Sequence, residues 1–416
     1  MNIQFIGQYF PPEMGALASR ASELAEVWAE AGQQVTVLTG FPNYPSGEVP
    51  EEYRDKISRI VFQETINNYR VVRTWLTTLS NDRAYARILG YISFFISSLI
   101  TGIFLTKSDI IIASSPPLTV GMSGWLISKI KCTPFVLEIR DLWPDSITAS
   151  GASKEGSLLV RILRWMALFL YQNSDCLVVV SPAFEKELVD RHGIHPELIN
   201  IIPNGVKLDS FILDPFIPLR QELFKENDFV VSYIGNYGWA QGLQTVLEAA
   251  EKLQKSNPEI QFLFIGGGAD EDRLKSSAIE KYLTNIRFIP QQPKDTIPKY
   301  IQISDVCLVP LRDAPVFETV IPSKMLEFMA GSKPIILGVR GQAQLILEEA
   351  RAGISIPPQD PEALVDAIMS LYQDSDLRQG LGKNGRKYIQ KNFKRELLAE
   401  SYLELLHDIV QMGRDS

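Results

Sequence analysis

Cysteine and histidine are both scarce in this chain of 416 residues, with three of each. The cysteines are far apart and lie in or beside apolar segments: Cys132, Cys176 and Cys307. This spacing excludes a disulfide framework and fits buried thiols in a reducing compartment. Three histidines cannot build a histidine-rich metal centre, and we expect no metal cofactor.

Excess positive charge and targeting signals are also missing from the sequence. The net charge of −8 argues against broad nucleic-acid binding. The opening residues, MNIQFIGQYFPP, enter a short strand without the basic and apolar regions of a signal peptide. We therefore expect a cytoplasmic protein that does not bind nucleic acid.

One long uncharged segment, ILGYISFFISSLITGIFLT at residues 88–106, suggests membrane contact. Basic residues flank it: Arg73, Arg83, Arg87 and Lys107. Its serines and glycines, and the apolar strand that follows, favour a buried or interfacial helix over a membrane span. An anionic membrane surface is thus a predicted partner, with the protein peripheral on the inner face of the cytoplasmic membrane.

Apolar runs alternate with helical patterns along both halves of the chain, which predicts an α/β fold with parallel sheets. NIQFIG, QQVTVLTG and DIIIASSPP represent the first half, and FVVSYIGN, IQFLFIGGG and SDVCLVPL the second. We predict two doubly wound Rossmann-like domains facing a cleft, at 1–204 and 205–393, and a C-terminal helix at 394–416 crossing back to the first. Ligands of such sheets bind beyond the carboxyl ends of the strands.

Motifs at strand ends in the first half supply three candidate residues. Gly15 precedes a helix in PPEMGALAS, where a small residue lets a ligand approach backbone N–H groups. Arg140 and Asp141 follow an apolar strand in VLEIRDLWPDS, as a phosphate or hydroxyl contact and as its orienting or proton-accepting partner. The alternative is a local ion pair. The Asn204–Gly205 turn suits a positive φ.

The second half contains a phosphate-type loop without a cation. SYIGNYGWAQGL, with Gly235 and Gly242, joins a strand to a helix, as phosphate-cradling loops do. IPSKMLEFMA opens another helix, with Lys324 in its first turn, where a bound anion would offset the helix dipole. Glu327, three residues on, can accept two ribose hydroxyls, although a Lys–Glu surface pair is the alternative.

A second glycine run, FIGGGADEDRL, lacks the spacing of a dinucleotide fingerprint. Its Asp270, Glu271 and Asp272 suit a helix start better than a divalent metal.

Together these motifs resemble the retaining GT-B glycosyltransferases of family 4. Three motifs occur in the family's order and spacing: PNGV, the loop with GN and QG, and PSK with EFMA and KP. QYFPPEMGA and DLWPDS resemble bacterial capsule, colanic-acid and O-antigen enzymes of the WbuB/WcaI kind. The resemblance covers nearly the whole chain.

The resemblance implies roles for individual residues in binding a nucleotide-diphosphate sugar. Glu327 matches the glutamate on the donor ribose, and Lys324 and Ser323 begin the helix that faces the diphosphate. Ile289 and Gln291 lie in the loop that meets the base. Gly15 matches the small residue near the phosphate or acceptor, and the neighbouring Glu13 and Met14 are expected to contact the acceptor.

Two departures from the family pattern bear on the donor. Asn236 and Gln241 occupy the loop positions of an Arg and a Lys that bind the diphosphate in many members. Thr319 replaces a glutamate on the donor sugar, and Glu318 is one residue off that register. We expect neutral donors in the loop, with Lys324 and Arg140 adding charge, and a donor sugar with fewer hydroxyls, such as an N-acetylated deoxysugar.

These features predict metal-free transfer of a sugar from a nucleotide-diphosphate donor, expected to be UDP-linked, to a polyprenyl-diphosphate-linked or saccharide acceptor. Arg140, Asp141 and Lys324 are the predicted catalytic residues. A nucleotide-sugar epimerase of the same fold and a catalytically silent nucleotide-sugar-binding subunit are the alternatives.

Overall fold

Parallel strands covered by helices form both halves of the chain. The computed structural model describes residues 1–13, 15–44, 47–79, 84–149, 154, 156–211 and 217–415. Contacts divide the chain into unit 1, Met1–Asn204 with Glu396–Ser416, and unit 2, Gly205–Arg395.

Unit 1 contains an eight-stranded sheet in the order β3-β4-β2-β1-β5-β6-β7-β8. Its pairs are parallel except β3 with β4. The strands are β1 (Asn2–Ile6), β2 (Gln34–Gly40), β3 (Val61–Ile66), β4 (Tyr69–Thr74), β5 (Ile110–Ser115), β6 (Phe135–Ile139), β7 (Cys176–Val179) and β8 (Ile199–Ile201). The helices are α1 (Ala16–Glu30), α2 (Glu51–Arg54), α3 (Ala84–Phe104), α4 (Leu118–Lys131), α5 (Asp145–Ala149), α6 (Leu158–Asn173) and α7 (Pro182–His192).

The central strands of unit 1 are buried on both faces. Every residue of β5 and β6 is buried, and apolar clusters pack on the two sides of the sheet. This is why their sequences read as continuous apolar runs rather than alternating ones. In register, Ile3 of β1 pairs with Val35 and with Ile110, which places the first strand between β2 and β5.

The antiparallel hairpin of β3 and β4 lies outside the predicted pattern. Its two-residue turn, Asn67 and Asn68, has φ of 42° and 67°, as hairpin turns with positive φ require. The edge strand β3 alternates between exposed and half-buried residues, so it has no apolar run to reveal it.

Helix α3 is only partly buried, and its predicted place, buried or in the membrane interface, stays a prediction. By length and composition alone it could cross a membrane. Only 28% of its most apolar stretch, within Tyr85–Phe104, is buried inside the protein. Gly102 lets it approach α4, because a Cβ there would lie 2.4 Å from Ile127.

One predicted flanking cation does not lie on the surface. Arg73 is fully buried, and its Nε is 2.6 Å from Glu64 Oε1. Its assignment to a membrane-facing surface is therefore wrong. Arg83 lies outside the described residues.

Unit 2 contains a six-stranded parallel sheet in the order β11-β10-β9-β12-β13-β14. The strands are β9 (Phe229–Ile234), β10 (Ile260–Ile265), β11 (Ile286–Ile289), β12 (Val306–Pro310), β13 (Ile335–Gly338) and β14 (Gly353–Ser355). The helices are α8 (Ile217–Leu223), α9 (Gln244–Ser256), α10 (Glu271–Glu280), α11 (Ile297–Ile303), α12 (Ser323–Ala330), α13 (Gln342–Ala350), α14 (Pro361–Gln373) and α15 (Ser375–Asn392).

The last helix, α16 (Arg395–Asp415), returns to unit 1. There the indole Nε1 of Trp28 donates to Ala399 O at 2.9 Å, and the Trp28 ring contacts Tyr402 edge-on. These contacts complete the core beside α1.

The chain changes units at a close backbone approach. The predicted left-handed turn at Asn204–Gly205 is wrong, since neither residue has a positive φ. Gly205 instead accommodates Arg395, whose Cα would lie 2.7 Å from a Cβ there. Beside it, Val206 pairs with Lys394 in an isolated parallel bridge.

Candidate functional site

The loop after β9 packs on a second glycine run in unit 2. Gly235 has a φ of 150°. A Cβ on Gly266 would lie 1.9 Å from Gly235 O, and one on Gly268 would lie 2.2 Å from Asn236 Oδ1. The FIGGG glycines therefore allow two strand-end loops to touch, which explains their presence without a dinucleotide.

Lys324 crosses from the first turn of α12 to this loop. Its Nζ donates to Tyr233 Oη at 2.9 Å and to Gln241 Oε1 at 2.7 Å. A Cβ on Gly235 would lie 3.1 Å from the same Nζ. The cation missing from the loop sequence is thus brought to it from another helix.

Tyr233 connects the members of this group. Its hydroxyl donates to Asn236 O at 2.7 Å and lies 3.1 Å from Gln241 Oε1. Gln241 directs its side-chain oxygen toward Lys324, whereas the sequence predicts it as a diphosphate contact. The side chain of Asn236 lies against Gly238, with Nδ2 3.1 Å from a Cβ built there.

Burial lowers the pKa of Lys324 to about 7, and the Glu327 carboxylate opposes that shift. Burial also raises the pKa of Tyr233 well above its ordinary value. At neutral pH Tyr233 therefore keeps its proton, while Lys324 is poised between its neutral and charged forms.

The other predicted donor residues lie around α12 and the carboxyl end of the sheet. Ser323 and Lys324 open α12 after Pro322, and Glu327 is half-buried one turn later. Thr319 ends a short 3-10 helix, where its hydroxyl donates to Val316 O at 3.1 Å. The loop position Gly242 has a φ of 58°.

Glu318 is exposed on the same 3-10 helix as Thr319. Gly341 allows its backbone to pack closely, because a Cβ there would lie 2.1 Å from Glu318 O.

Ile289 and Gln291 lie at the end of β11, the edge strand of this sheet. The Ile289 carbonyl accepts from Gly266 N at 3.1 Å, which ties the predicted base loop to the glycine run. Gln291 is exposed.

Arg312 is a second cation at the loop, which the sequence reasoning missed. Its Nε donates to Trp239 O at 2.8 Å, and its Cζ lies 4.4 Å from the centroid of the Trp239 ring. Trp239 itself is 45% exposed. Arg312 directly follows the apolar strand in SDVCLVPL, just as Arg140 follows its strand. The same pattern in the sequence could therefore have identified it.

In unit 1, Arg140 and the helix start at Gly15 come together. The guanidinium of Arg140 donates to Leu17 O at 3.2 Å and to Asn204 Oδ1 at 3.4 Å. Burial lowers the pKa of Arg140 to about 10, against the opposing charge of Glu138. Gly15 has a φ of 142°, and the space beside its Cα is open.

A buried ion cluster supports this corner. Arg20 Nε lies 2.8 Å from Glu138 Oε1, and Ser114 donates to Glu138 Oε2 at 2.7 Å. Although burial alone would raise it, Arg20 and Arg140 hold the pKa of Glu138 below its ordinary value. The sequence signal was a single carboxylate inside the apolar strand FVLEI, which requires a buried partner.

The remaining unit 1 candidates are engaged locally. Asp141 accepts from Ser146 Oγ at 2.9 Å, and burial raises its pKa. Glu13 accepts backbone N–H groups from Phe10, Asn43 and Tyr44. Burial raises the pKa of Glu13 to about 7 against those bonds. Met14 lies outside the described residues.

Within the described ranges, no group of three or more His, Cys, Asp and Glu side chains is arranged to hold a metal. The Asp270–Asp272 acids lie at the start of α10, where Asp270 pairs with Arg273 and Glu271 with Lys275.

Two family models match the chain. The Glycosyltransferase Family 4 model matches residues 17–210, and the Glycosyl transferases group 1 model matches residues 218–388. Among curated relatives, the putative colanic acid biosynthesis glycosyl transferase WcaI of Escherichia coli is 27% identical over 88% of this chain and 91% of the relative. The probable glycosyltransferase WbjE of Pseudomonas aeruginosa is 27% identical over 74% and 76%.

Solved structures match along the full length. Sucrose-phosphate synthase from Thermosynechococcus elongatus has a TM-score of 0.80 at 22% identity and covers 100% of both chains. Anabaena HepE, in complex with UDP and glucose, has a TM-score of 0.73 at 17% identity and covers 97% of this chain and 99% of its own. The two α/β units thus define the GT-B fold of a glycosyltransferase. The chain belongs to glycosyltransferase family 4.

Proposed function

We propose that this glycosyltransferase uses a UDP-linked sugar as its donor and transfers the sugar with retention of configuration. The proposal rests on the position of Lys324, whose side chain reaches the loop after β9 and bonds to Tyr233 and Gln241. A charged amine at a loop whose own side chains are neutral is suited to a diphosphate. The UDP-bound relative of the same fold supports the choice of base.

The residues have distinct roles in the proposed reaction. The bond between the sugar C1 and the diphosphate oxygen breaks, and a bond from C1 to the acceptor oxygen forms. The acceptor proton passes to the departing diphosphate. Lys324, Arg312 and the N-terminus of α9 stabilise the charge that develops on that group, and Glu327 holds the ribose. No divalent cation is required for these roles.

The donor sugar is proposed to be an N-acetylated deoxysugar. Thr319 offers a hydroxyl at a position where the family pattern places a sugar-binding carboxylate, and Glu318 is exposed beside it. A site with fewer hydrogen-bond acceptors suits a sugar with fewer hydroxyl donors.

The acceptor is proposed to be a saccharide or a polyprenyl-diphosphate-linked sugar in cell-surface polysaccharide synthesis. The colanic-acid name of the relative WcaI supports this process. Arg140 and Gly15 are the unit 1 groups placed together at a strand end, and we assign them to the acceptor side. Asp141 is proposed to orient the acceptor hydroxyl.

An exposed apolar surface in unit 1 supports docking on the inner face of the cytoplasmic membrane. Along α3 the exposed side chains repeat at helical spacing: Ile88, Leu89, Ile92, Ile96, Ile100 and Phe104. The exposed residues Arg87 and Lys107 lie at the two ends of this stripe. An apolar face with basic margins matches an anionic lipid interface.

Calorimetric titration with UDP, GDP and ADP, each with and without EDTA, tests the proposed donor site. We expect UDP to bind selectively, with the same affinity in EDTA. Loss of binding in EDTA would refute the metal-free assignment. If no nucleotide binds, the donor assignment fails. Tight nucleotide binding without turnover of any acceptor would instead favour the silent nucleotide-sugar-binding subunit.

A further inference from the structure

One tryptophan of the candidate site is exposed, although both its backbone and its ring are held in place. Trp239 lies in the 3-10 helix Trp239–Gln241 of the loop after β9, and it is 45% exposed. Arg312 Nε donates to Trp239 O at 2.8 Å, and Arg312 N donates to Ala240 O at 2.9 Å. The guanidinium lies over the Trp239 ring. The proposed donor contacts do not include this ring.

We propose that Trp239 is a sugar-contacting residue, whose ring takes the apolar face and the N-acetyl methyl group of the donor sugar. The inference rests on the proposed donor site. It extends that site, because the contacts proposed there for the sugar are all polar. The ligand class that Trp239 selects is a nucleotide-linked N-acetylated sugar.

The order of the strands puts Trp239 on the sugar side of the donor site. In the sheet of unit 2, β11 and β12 lie on opposite sides of β9. The proposed base loop, with Gln291, follows β11, whereas Arg312 follows β12 and holds Trp239. Thr319, the proposed polar contact of the sugar, also comes after β12. A donor with its base at β11 and its diphosphate at the loop after β9 therefore extends its sugar toward Trp239.

The same short helix links Trp239 to the cation of the diphosphate site. Gln241 ends the 3-10 helix that Trp239 begins, and its Oε1 accepts from Lys324 Nζ at 2.7 Å. Residues two apart in such a helix are separated by about 4 Å along its axis. A sugar bonded to a diphosphate at Lys324 is therefore within reach of the indole.

The chemistry of an indole ring suits an N-acetylated deoxysugar. One face of a pyranose presents mainly C–H groups, and the acetyl and deoxy methyl groups add further apolar surface. A tryptophan that Arg312 already holds loses little conformational entropy when it covers this surface. Each methyl group that becomes buried should improve affinity about fourfold. A sugar with a hydroxyl in that place would leave a polar group against the ring.

Calorimetric titration of UDP-sugars tests the contact. The probes are UDP-N-acetylglucosamine and UDP-N-acetylgalactosamine, compared with UDP-glucose, UDP-galactose and UDP. We expect the better N-acetylated probe to bind about fourfold more tightly than its counterpart without the acetamido group. In Trp239→Ala, which keeps both backbone acceptors of Arg312, this preference should vanish while affinity for UDP changes less than about twofold. Trp239→Phe should keep most of the preference.

The possible results distinguish the sugar contact from the donor site itself. A wild-type chain that binds UDP without preferring an N-acetylated sugar would overturn the contact alone, as would a preference that survives in Trp239→Ala. Equal losses of affinity for UDP and the UDP-sugars in Trp239→Ala would assign the ring to the nucleotide and also overturn the contact. No binding of UDP or of any UDP-sugar would overturn the donor site together with it.

Trp165→Ala is the matched control, because Trp165 is 60% exposed and lies on α6 of unit 1. It should leave every affinity unchanged. Labelling with 5-fluorotryptophan gives a direct readout by fluorine NMR, since the chain has six tryptophans and the Trp239 signal is the one lost in Trp239→Phe. That signal should move further with the better UDP-sugar than with UDP. The same signal position with both ligands would contradict the contact.

Discussion

At the scale of single residues, Glu138 shows how one buried charge organises a strand end. The carboxylate is fully buried in β6, and Arg20, Arg140 and Ser114 surround it. Arg20 also donates to the carbonyls of Ile202 and Pro203, at the end of unit 1. The ion cluster therefore fixes the backbone beside Asn204, whose side-chain oxygen accepts from Arg140.

Removing one member of this cluster should strongly lower the stability of the fold. Arg20→Met leaves a buried carboxylate with one fewer partner, and we expect it to lower the free energy of unfolding by about 3–5 kcal/mol. Arg191→Met, in an exposed pair with Glu187, is the control and should cost less than about 1 kcal/mol. Denaturant unfolding measures both, and equal small losses would argue against the cluster's importance.

The same cluster should give acid sensitivity. The folded pKa of Glu138 lies below its unfolded value, so its contribution to stability is present at neutral pH. That contribution is lost as the pH falls through the acid range. The stability difference between wild type and Glu138→Gln should therefore shrink as the pH falls. Melting temperatures from pH 7 to pH 3 measure it, and a constant difference would contradict this linkage.

Substitutions at Lys324 and Glu327 should distinguish binding of the diphosphate from binding of the nucleoside. Lys324→Ala should weaken UDP binding by at least tenfold while uridine binding is almost unchanged, because uridine has no phosphate. Glu327→Ala should weaken UDP and uridine by similar factors, because both carry the ribose. Titration of both ligands against both variants measures this, and equal losses in Lys324→Ala would refute its diphosphate role.

At the scale of elements, α3 combines a packed face with an exposed apolar face. Ser98 bonds to Ser123 of α4, and Phe94 is buried against the sheet. On the other side Ile92 is 46% exposed and Ile96 is 50% exposed. The helix therefore belongs to the fold and also offers a surface to a partner.

Polar substitution on the exposed stripe should detach the protein from lipid. Ile92→Ser with Ile96→Ser removes apolar area from the proposed contact, and we expect a large loss of binding to vesicles of phosphatidylglycerol and phosphatidylethanolamine. Ile279→Ser, on an exposed isoleucine of unit 2, is the control. Vesicle flotation measures binding, and wild-type protein that fails to float at low salt would refute docking.

Elements with continuous apolar runs were predictable from the sequence, and the hairpin of β3 and β4 was not. Strands that are buried on both faces, such as β5, are apolar at almost every position and can be recognised in the sequence. The edge strand β3 instead alternates between exposed and half-buried residues. The site divides in a similar way. Lys324 stood out because a cation opens a helix, but Tyr233 reads as one more aromatic in FVVSYIGN until its hydroxyl partners are known.

At the scale of the whole molecule, the two units differ in what they need to fold. Unit 2 is a continuous segment, while unit 1 requires α16 to cover Trp28 and its neighbours. Core residues of α16, including Tyr402 and Leu406, are fully buried there. Loss of this helix would expose a large apolar surface.

Separate expression of the units tests this dependence. We expect the fragment 205–395 to fold alone and to be stabilised by UDP, by about 2.7 kcal/mol at one hundred times Kd. The fragment 1–204 should aggregate unless a peptide of residues 396–416 is supplied. Thermal melting and light scattering measure these outcomes, and a soluble 1–204 fragment with a cooperative transition would contradict the role of α16.

The two chain crossings between the units also have a consequence for modular exchange. Val206 and Lys394 lie side by side, with Val206 N donating to Phe393 O at 2.9 Å and Arg395 N donating to Val206 O at 3.1 Å. Both ends of unit 2 therefore leave from one point, as the ends of an inserted cassette do. A cassette cut at this bridge could be transplanted from a relative without rebuilding either core, so the proposed donor and acceptor specificities could be inherited separately.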